Sequence, residues 1–195
     1  MANSSWSESH GDVELNWFIV FWLNFSKGLS KPFILLKISP NQISILSVLI
    51  SIPLIFSPEQ WWFVLIALVL DGVDGQVAIA RNLATKQGSV IDSLSDRIVE
   101  FIWALALYLF GLNPILVAIF IGIAWLQEYL RARAGGLGYK KIGIVTVSER
   151  PTRAIFVILA LILTSYSQLI ITFAVIVSIF ALATITYKIA REINL

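Results

Sequence analysis

The stretch WWFVLIALVLDGVDGQVAIAR, residues 61–81, decides the fold. It is as long and as apolar as a bilayer crossing requires, roughly 20 residues. Yet it carries two aspartates in its interior, Asp71 and Asp74. A charge inside a span costs about 2.5–3.5 kcal/mol on insertion scales and marks function by default. At 1.5 Å per residue, Asp71 sits roughly 15 Å from Trp61, near mid-membrane.

Similar apolar runs flank this one. The sequence predicts spans over 41–56, 61–81, 88–110, 114–134, 151–165 and 169–188, separated by polar turns near Glu59, Asn113 and Ser167. Composition agrees. Of 195 residues, 58% are hydrophobic and 13% charged, against about 45–50% and about 25% in soluble domains. That excludes a disordered chain and argues against a soluble globule. The fold class expected is all-α: a polytopic membrane protein with six transmembrane helices. Of the 14 Lys and Arg residues, all but Arg97 fall before the first span, around the loops after the second and fourth, or at the C-terminus. The positive-inside rule then puts both termini in the cytoplasm, with Trp61 and Trp62 in the outer aromatic belt. The expected location is the cell membrane.

Residues 1–14 read as a frayed polar terminus and 15–195 as one domain. Leu15, Phe18, Ile19, Trp22 and Phe25 recur at helical spacing up to Lys27, which predicts an amphipathic helix on the inner interface. The segment lacks a basic leader and a small-residue cleavage site, so no signal peptide is expected. There is no Cys, and the single His, His10, lies in the polar tail. Thiolate metal sites and Ser-His catalysis therefore lack their parts. A net charge of +2 is too small to argue for a nucleic-acid partner.

Two further aspartates complete the pattern. Asp71 and Asp74 are i, i+3 on one helix face; Asp92 and Asp96 are i, i+4 on the next. A close hairpin of spans two and three would set Asp71 opposite Asp96 and Asp74 opposite Asp92. Four carboxylates that near demand cations. Oxygen-only ligands select Mg²⁺ or Mn²⁺, and two such ions form a clamp for phosphate oxygens. An ion pathway or proton relay, such as a divalent cation transporter built on the same acids, is the rival reading. Gly75 and Gly88 either admit a bulky polar group to the backbone or permit close helix packing.

The run Asp71-Gly-Val-Asp74-Gly75-Gln-Val-Ala78-Ile79-Ala-Arg81, continued by Gly88, Asp92 and Asp96, resembles the CDP-alcohol phosphotransferase signature D-x-x-D-G-x-x-A-R-x8-G-x3-D-x3-D. Every spacing matches. One fixed position differs, with Ile79 where the family has Arg, and Arg81 follows two residues later. Ser39-Pro40-Asn41-Gln42-Ile43-Ser44 is similar to the family's P-N-x-x-T entry to the first span, with Ser44 for Thr.

The resemblance implies a membrane transferase of phospholipid biosynthesis. It would move a phosphatidyl-type group from a CDP-alcohol, either CDP-diacylglycerol or CDP-archaeol, to a phosphorylated polyol, and release CMP. Asp71, Asp74, Asp92 and Asp96 would hold two Mg²⁺ or Mn²⁺ ions. Asp96 would also be the catalytic base. Asn41, Ser44, Gly75, Ala78, Arg81, Thr85 and Gly88 would meet the donor. The segments Glu128-Tyr-Leu-Arg131-Ala-Arg133 and Glu149-Arg150-Pro-Thr-Arg153 resemble those of members using inositol phosphate or glycerol phosphate. Arg131, Arg133, Arg150 and Arg153 would then bind the acceptor, with inositol 1-phosphate favoured over glycerol 3-phosphate. Guanidinium forks suit phosphate; lipid anchoring of the same arginines is the bland alternative. A homodimer is implied. A member that has lost donor binding through Ile79 is a further alternative.

Overall fold

The computed structural model describes residues 17–138 and 146–193, and its regular elements there are all helical. Helix α1 spans Trp17–Leu35 and α2 Pro40–Ser51, the latter extended by a 3₁₀ turn at Ile52–Ile55. Then come α3, Trp62–Ala80, α4, Lys86–Leu109, and α5, Pro114–Gly136. Helix α6 spans Arg150–Ile162. A 3₁₀ turn at Thr164–Tyr166 leads into α7, Ser167–Ile193.

Local chemistry sets the helix starts. Ser39 caps α2 in a reciprocal box: its hydroxyl accepts from the Gln42 N–H, and its own N–H donates to Gln42 Oε1 at 2.8 Å. Pro40 fills the first helical position, where no N–H is needed. Thr85 Oγ1 accepts from the Gly88 N–H at 2.9 Å and starts α4. Asn113 Oδ1 does the same for α5 through the N–H groups of Ile115 and Leu116. Gly111, at φ 102, makes the preceding turn, a conformation that favours glycine.

Among the described residues, three helical segments are long and apolar enough to cross a membrane: Trp62–Ala80, Pro114–Gly136 and Thr164–Arg191. A fourth arises if Asn24–Leu35 and Pro40–Ile55, bent by 108°, count as one broken span. Helix α4 is long enough but carries Asp92, Asp96, Arg97 and Glu100. Helix α6 has 13 residues, or about 20 Å, less than the roughly 30 Å of hydrocarbon. Outward-facing side chains such as Leu65, Phe101, Ile119, Phe173 and Phe180 are exposed, as a lipid-facing surface requires.

Two expectations need correction. The first helix does not stop near Lys27 but runs to Leu35, through Pro32. It ends where Lys37 turns left-handed, at φ 57. Nor do α3 and α4 form a close hairpin. Helix α2 packs along both, while α3 and α4 touch only briefly. Ser44, Ser47 and Ser51 explain this. They are buried at i, i+3 and i+7 on α2, and their small side chains bond backward to their own helix. Such a small-residue stripe lets helices approach closely. The readings for residues 1–14, for His10, and for the side chains of Phe18, Ile19 and Trp22 lie outside the described residues, as do Lys140 and Lys141.

The core divides in two. Val64, Ala67 and Leu68 of α3 pack with Trp103 and Leu107 of α4, Phe120 of α5 and Val157 of α6. Ile43 of α2 packs with Leu70, Val73 and Val77 of α3. Asp71 and Asp74 stand on the stretch of α3 that joins the two.

Candidate active site

Carboxylate oxygens of Asp71, Asp74 and Asp92 lie within 4.8 Å of one another. Helix α3 supplies the first two through its i, i+3 spacing, and α4 supplies the third. Helix α2 adds a hydroxyl: Ser44 Oγ donates to Asp74 Oδ2 at 2.6 Å, and both residues are buried. Asp96 is outside the triplet. It joins through Arg150, whose Nη1 donates to Oδ1 of both Asp71 and Asp96. The pairing of Asp71 with Asp96 deduced from their positions is thus present, but an arginine bridges it.

Three carboxylates gathered among apolar helices repel one another unless cations compensate. The group offers oxygen donors only, which fits a hard divalent cation and excludes a soft-metal site. Arg150 brings one positive charge. Its guanidinium carbon lies 5.6 Å from the centre of the Trp103 ring, and its side chain is 8% exposed. Its Nε and Nη2 are buried without a hydrogen-bond partner. Orphaned guanidinium nitrogens beside a carboxylate cluster are set to receive an anion.

The other expected residues sort by position. Asn41, Thr85 and Gly88 converge: a Cβ on Gly88 would lie 3.0 Å from Thr85 Oγ1 and 3.2 Å from Asn41 Oδ1. Gly75 is exposed, and a Cβ there would meet nothing within 4 Å. Close helix packing therefore does not account for it. Ala78 follows on α3, half-buried. Arg81 stands just past the end of α3 and donates to the Ile38 carbonyl at 3.0 Å, tying α3 to the α1–α2 turn.

Of the arginines assigned to an acceptor, only Arg150 reaches the acids. Arg153 is buried on Glu100, with Nη2 at 2.6 Å and Nε at 3.0 Å, and donates to the Ser148 carbonyl. Arg131 grips Glu149 at 2.5 Å and, as the i, i+3 spacing predicts, Glu128 at 3.1 Å. Arg133 is exposed at the end of α5.

Sequence reasoning missed Arg97, Glu100 and Glu149. Arg97 lies 3.4 Å from Glu100, 3.9 Å from Asp96 and 4.0 Å from Glu128. Glu149 accepts from Arg131 and from the backbone and hydroxyl of Thr146. The available signal was spacing. Glu100 is one turn past Asp96, and Arg153 is one turn past Arg150, so two rungs between α4 and α6 were implicit.

The chain is similar to several known proteins. Archaetidylinositol phosphate synthase of Aeropyrum pernix is 32% identical over 102 residues, 52% of each chain. The chain thus spans about half the length of that relative. It matches only 20% of the length of the bifunctional IPC transferase and DIPP synthase of Aquifex aeolicus, at 39% identity over 85 residues, 40% of this chain. Phosphatidylinositol phosphate synthase of Corynebacterium glutamicum is 29% identical over 80% of this chain and 75% of its own. The crystal structure of Mycobacterium tuberculosis phosphatidylinositol phosphate synthase in complex with manganese and citrate superposes with a TM-score of 0.69. The identity is 19%, covering 84% of this chain and 88% of that one, so the likeness is one of fold. Residues 37–186, which hold all four aspartates and the arginine that bridges two of them, match the family model described as CDP-alcohol phosphatidyltransferase, and the chain belongs to that family.

Proposed function

We propose that the chain is a membrane phosphotransferase that moves the phosphatidyl-type group of a CDP-alcohol to a phosphorylated polyol and releases CMP. One observation carries this reading. Three carboxylates from two helices converge within 4.8 Å, beside a buried arginine with two unpartnered nitrogens. That pairs a cation-binding group with an anion-binding group at one place, as transfer from a pyrophosphate to the hydroxyl of a phosphorylated acceptor requires.

In this reading 15–195 is one domain. Helices α2 to α7 form six spans and α1 lies on the inner interface; both termini and the site face the cytoplasm. Polar residues of the short or charged spans are tolerated because they face protein rather than lipid. Asp71, Asp74, Asp92 and Asp96 would hold two Mg²⁺ or Mn²⁺ ions, which when bound neutralise the pyrophosphate and the leaving CMP. Asn41, Ser44, Gly75, Ala78, Thr85 and Gly88 would border the CDP moiety, with Arg81 fixing the turn beside it. Arg150 and the exposed Arg133 would meet the acceptor phosphate. Arg131 and Arg153, already paired, would support them. Asp96 accepts the proton of the acceptor hydroxyl. That oxygen then bonds to the phosphorus on the lipid side, and the bond to the CMP oxygen breaks. The relatives named for inositol phosphates favour inositol 1-phosphate as acceptor, with glycerol 3-phosphate the alternative. Family membership supports a homodimer.

The test is a product assay by mass spectrometry on purified protein in lipid nanodiscs. CDP-diacylglycerol or CDP-archaeol is offered with inositol 1-phosphate or glycerol 3-phosphate. CMP and one phosphorylated lipid product are expected with Mg²⁺ or Mn²⁺, and neither with EDTA. Absence of CMP across the whole panel overturns the reading.

The donor pocket gives a narrower prediction. Gly88→Ala forces Thr85 or Asn41 to move by a few tenths of an ångström. The KM for the CDP-lipid should rise about tenfold, about 1.4 kcal/mol, with the acceptor KM unchanged. Titration of each substrate in the CMP assay checks this.

A further inference from the structure

We infer that Glu100 is a positioning residue: through Arg153 it fixes the register of α6 on α4 and so sets Arg150 across Asp71 and Asp96. The inference deepens the phosphotransferase reading and rests on it. Two rungs join the helices. Asp96 and Glu100 are i, i+4 on α4; Arg150 and Arg153 are i, i+3 on α6. The outer rung, Asp96 to Arg150, belongs to the site. The inner rung, Glu100 to Arg153, is sealed: the two side chains are 3% and 2% exposed.

The inner rung is overdetermined for a simple ion pair. Glu100 Oε1 accepts from Arg153 Nε at 3.0 Å and from Nη2 at 2.6 Å. Arg153 Nη1 donates to the Ser148 carbonyl at 2.5 Å. The Ser148 hydroxyl in turn bonds that of Ser178 on α7, at 2.8 Å. One guanidinium thus holds the approach to α6 against α4 and α7 together. Below it, Ala154, Val157 and Ala160 are fully buried. These residues are small or smoothly branched and fix the depth of α6 better than its axial slip.

Slip matters because of where Arg150 stands. A one-residue shift of α6 moves it 1.5 Å along the axis and 100° round it. That is enough to take Nη1 off both carboxylates and to turn Nε and Nη2 away from the acids. A misplacement of about 1 Å can cost about a hundredfold in rate when it falls on a reacting group. Here it falls on an anion-binding group, so the effect should show in acceptor binding. Glu100 itself touches no reacting atom in this arrangement. Its second oxygen faces Arg97 Nη1 at 3.4 Å.

The experiment measures CMP release and Mn²⁺ binding for wild type, Glu100→Gln, Glu100→Asp, Arg153→Lys and the double variant Glu100→Gln/Arg153→Lys. Glu100→Gln should raise the KM for inositol 1-phosphate about tenfold while kcat falls less and the KM for the CDP-lipid holds. Mn²⁺ affinity should stay within about twofold, because the three clustered aspartates are intact. Glu100→Asp should recover part of the loss. The double variant should lose less than the two single losses combined, since both break the Glu100–Arg153 contact. An unchanged acceptor KM in a folded Glu100→Gln overturns the inference while leaving the phosphotransferase reading standing. So does equal loss in both KM values and in Mn²⁺ affinity, the mark of general damage. If Glu100→Gln does not fold, Glu100→Asp and Arg153→Lys decide by the same criteria. A wild-type chain that releases no CMP with any donor and acceptor removes both.

Discussion

Asp96→Asn is expected to lower kcat for CMP release by about a thousandfold, within the range that a positioned general base supplies, while Mn²⁺ still binds. The two halves of that expectation come from different contacts. Asp96 stands outside the triplet of Asp71, Asp74 and Asp92, so the cation-binding group survives its loss. Arg150 keeps its bond to Asp71, so no buried charge is stranded, which is the usual cause of collapse when one partner of a pair is removed. The folded variant then isolates the proton transfer. Mn²⁺ titration by calorimetry and CMP release at saturating substrates check the two halves separately. A variant that works within about tenfold of wild type would remove Asp96 from the base role. One that loses all Mn²⁺ binding would show that the ions depend on Asp96 more than on the triplet.

Asp74→Asn is expected to move stability and activity in opposite directions. Without metal, Asp74 is a buried carboxylate crowded by two others. Replacing it with an amide removes like-charge repulsion and keeps the acceptor for the Ser44 hydroxyl. The metal-free variant should melt above wild type by a few degrees, about 1 kcal/mol for a chain of this length. With Mn²⁺ at about a hundred times its Kd, wild type should gain about 2.7 kcal/mol by linkage, and the variant little. CMP release should drop by at least about a hundredfold, more than loss of a ligand's supporting hydrogen bond commonly costs. Melting curves with EDTA and with Mn²⁺ read both effects. A variant less stable than wild type in EDTA would mean that Asp74 serves the fold, and that the cluster is not a cation site held open against repulsion.

How far the sequence discloses such a site depends on the range of each interaction. The acids were legible because a charge in an apolar run is conspicuous and because i, i+3 and i, i+4 spacings fix a face. The turn before α5 was legible at Asn113, where capping is local, and the expected starts at Asn41 and Gly88 fall within two residues of Pro40 and Lys86. The length of α1 was not, because the apolar stripe stops at Phe25 while the helix runs on through Pro32 to Leu35. The wedge of α2 between α3 and α4 was missed because three serines look like weak span residues until their contacts are known. Arg150 is 79 residues from Asp71; only packing brings them together, so the sequence could offer it to an acceptor phosphate but not place it on the aspartates. The Glu100–Arg153 bond, 53 residues apart, was hidden for the same reason.

Gly75 gives the site its own ruler. The space in front of it is open, so one added methyl strains nothing in the protein and relieves the helix of a residue that disfavours it by about 1 kcal/mol. Whatever Gly75→Ala takes from turnover is then a collision with the guest and not with the host. A ladder of larger side chains at that position, read against CDP-lipids of differing headgroup bulk, would gauge the clearance between wall and nucleotide without a ligand ever being seen.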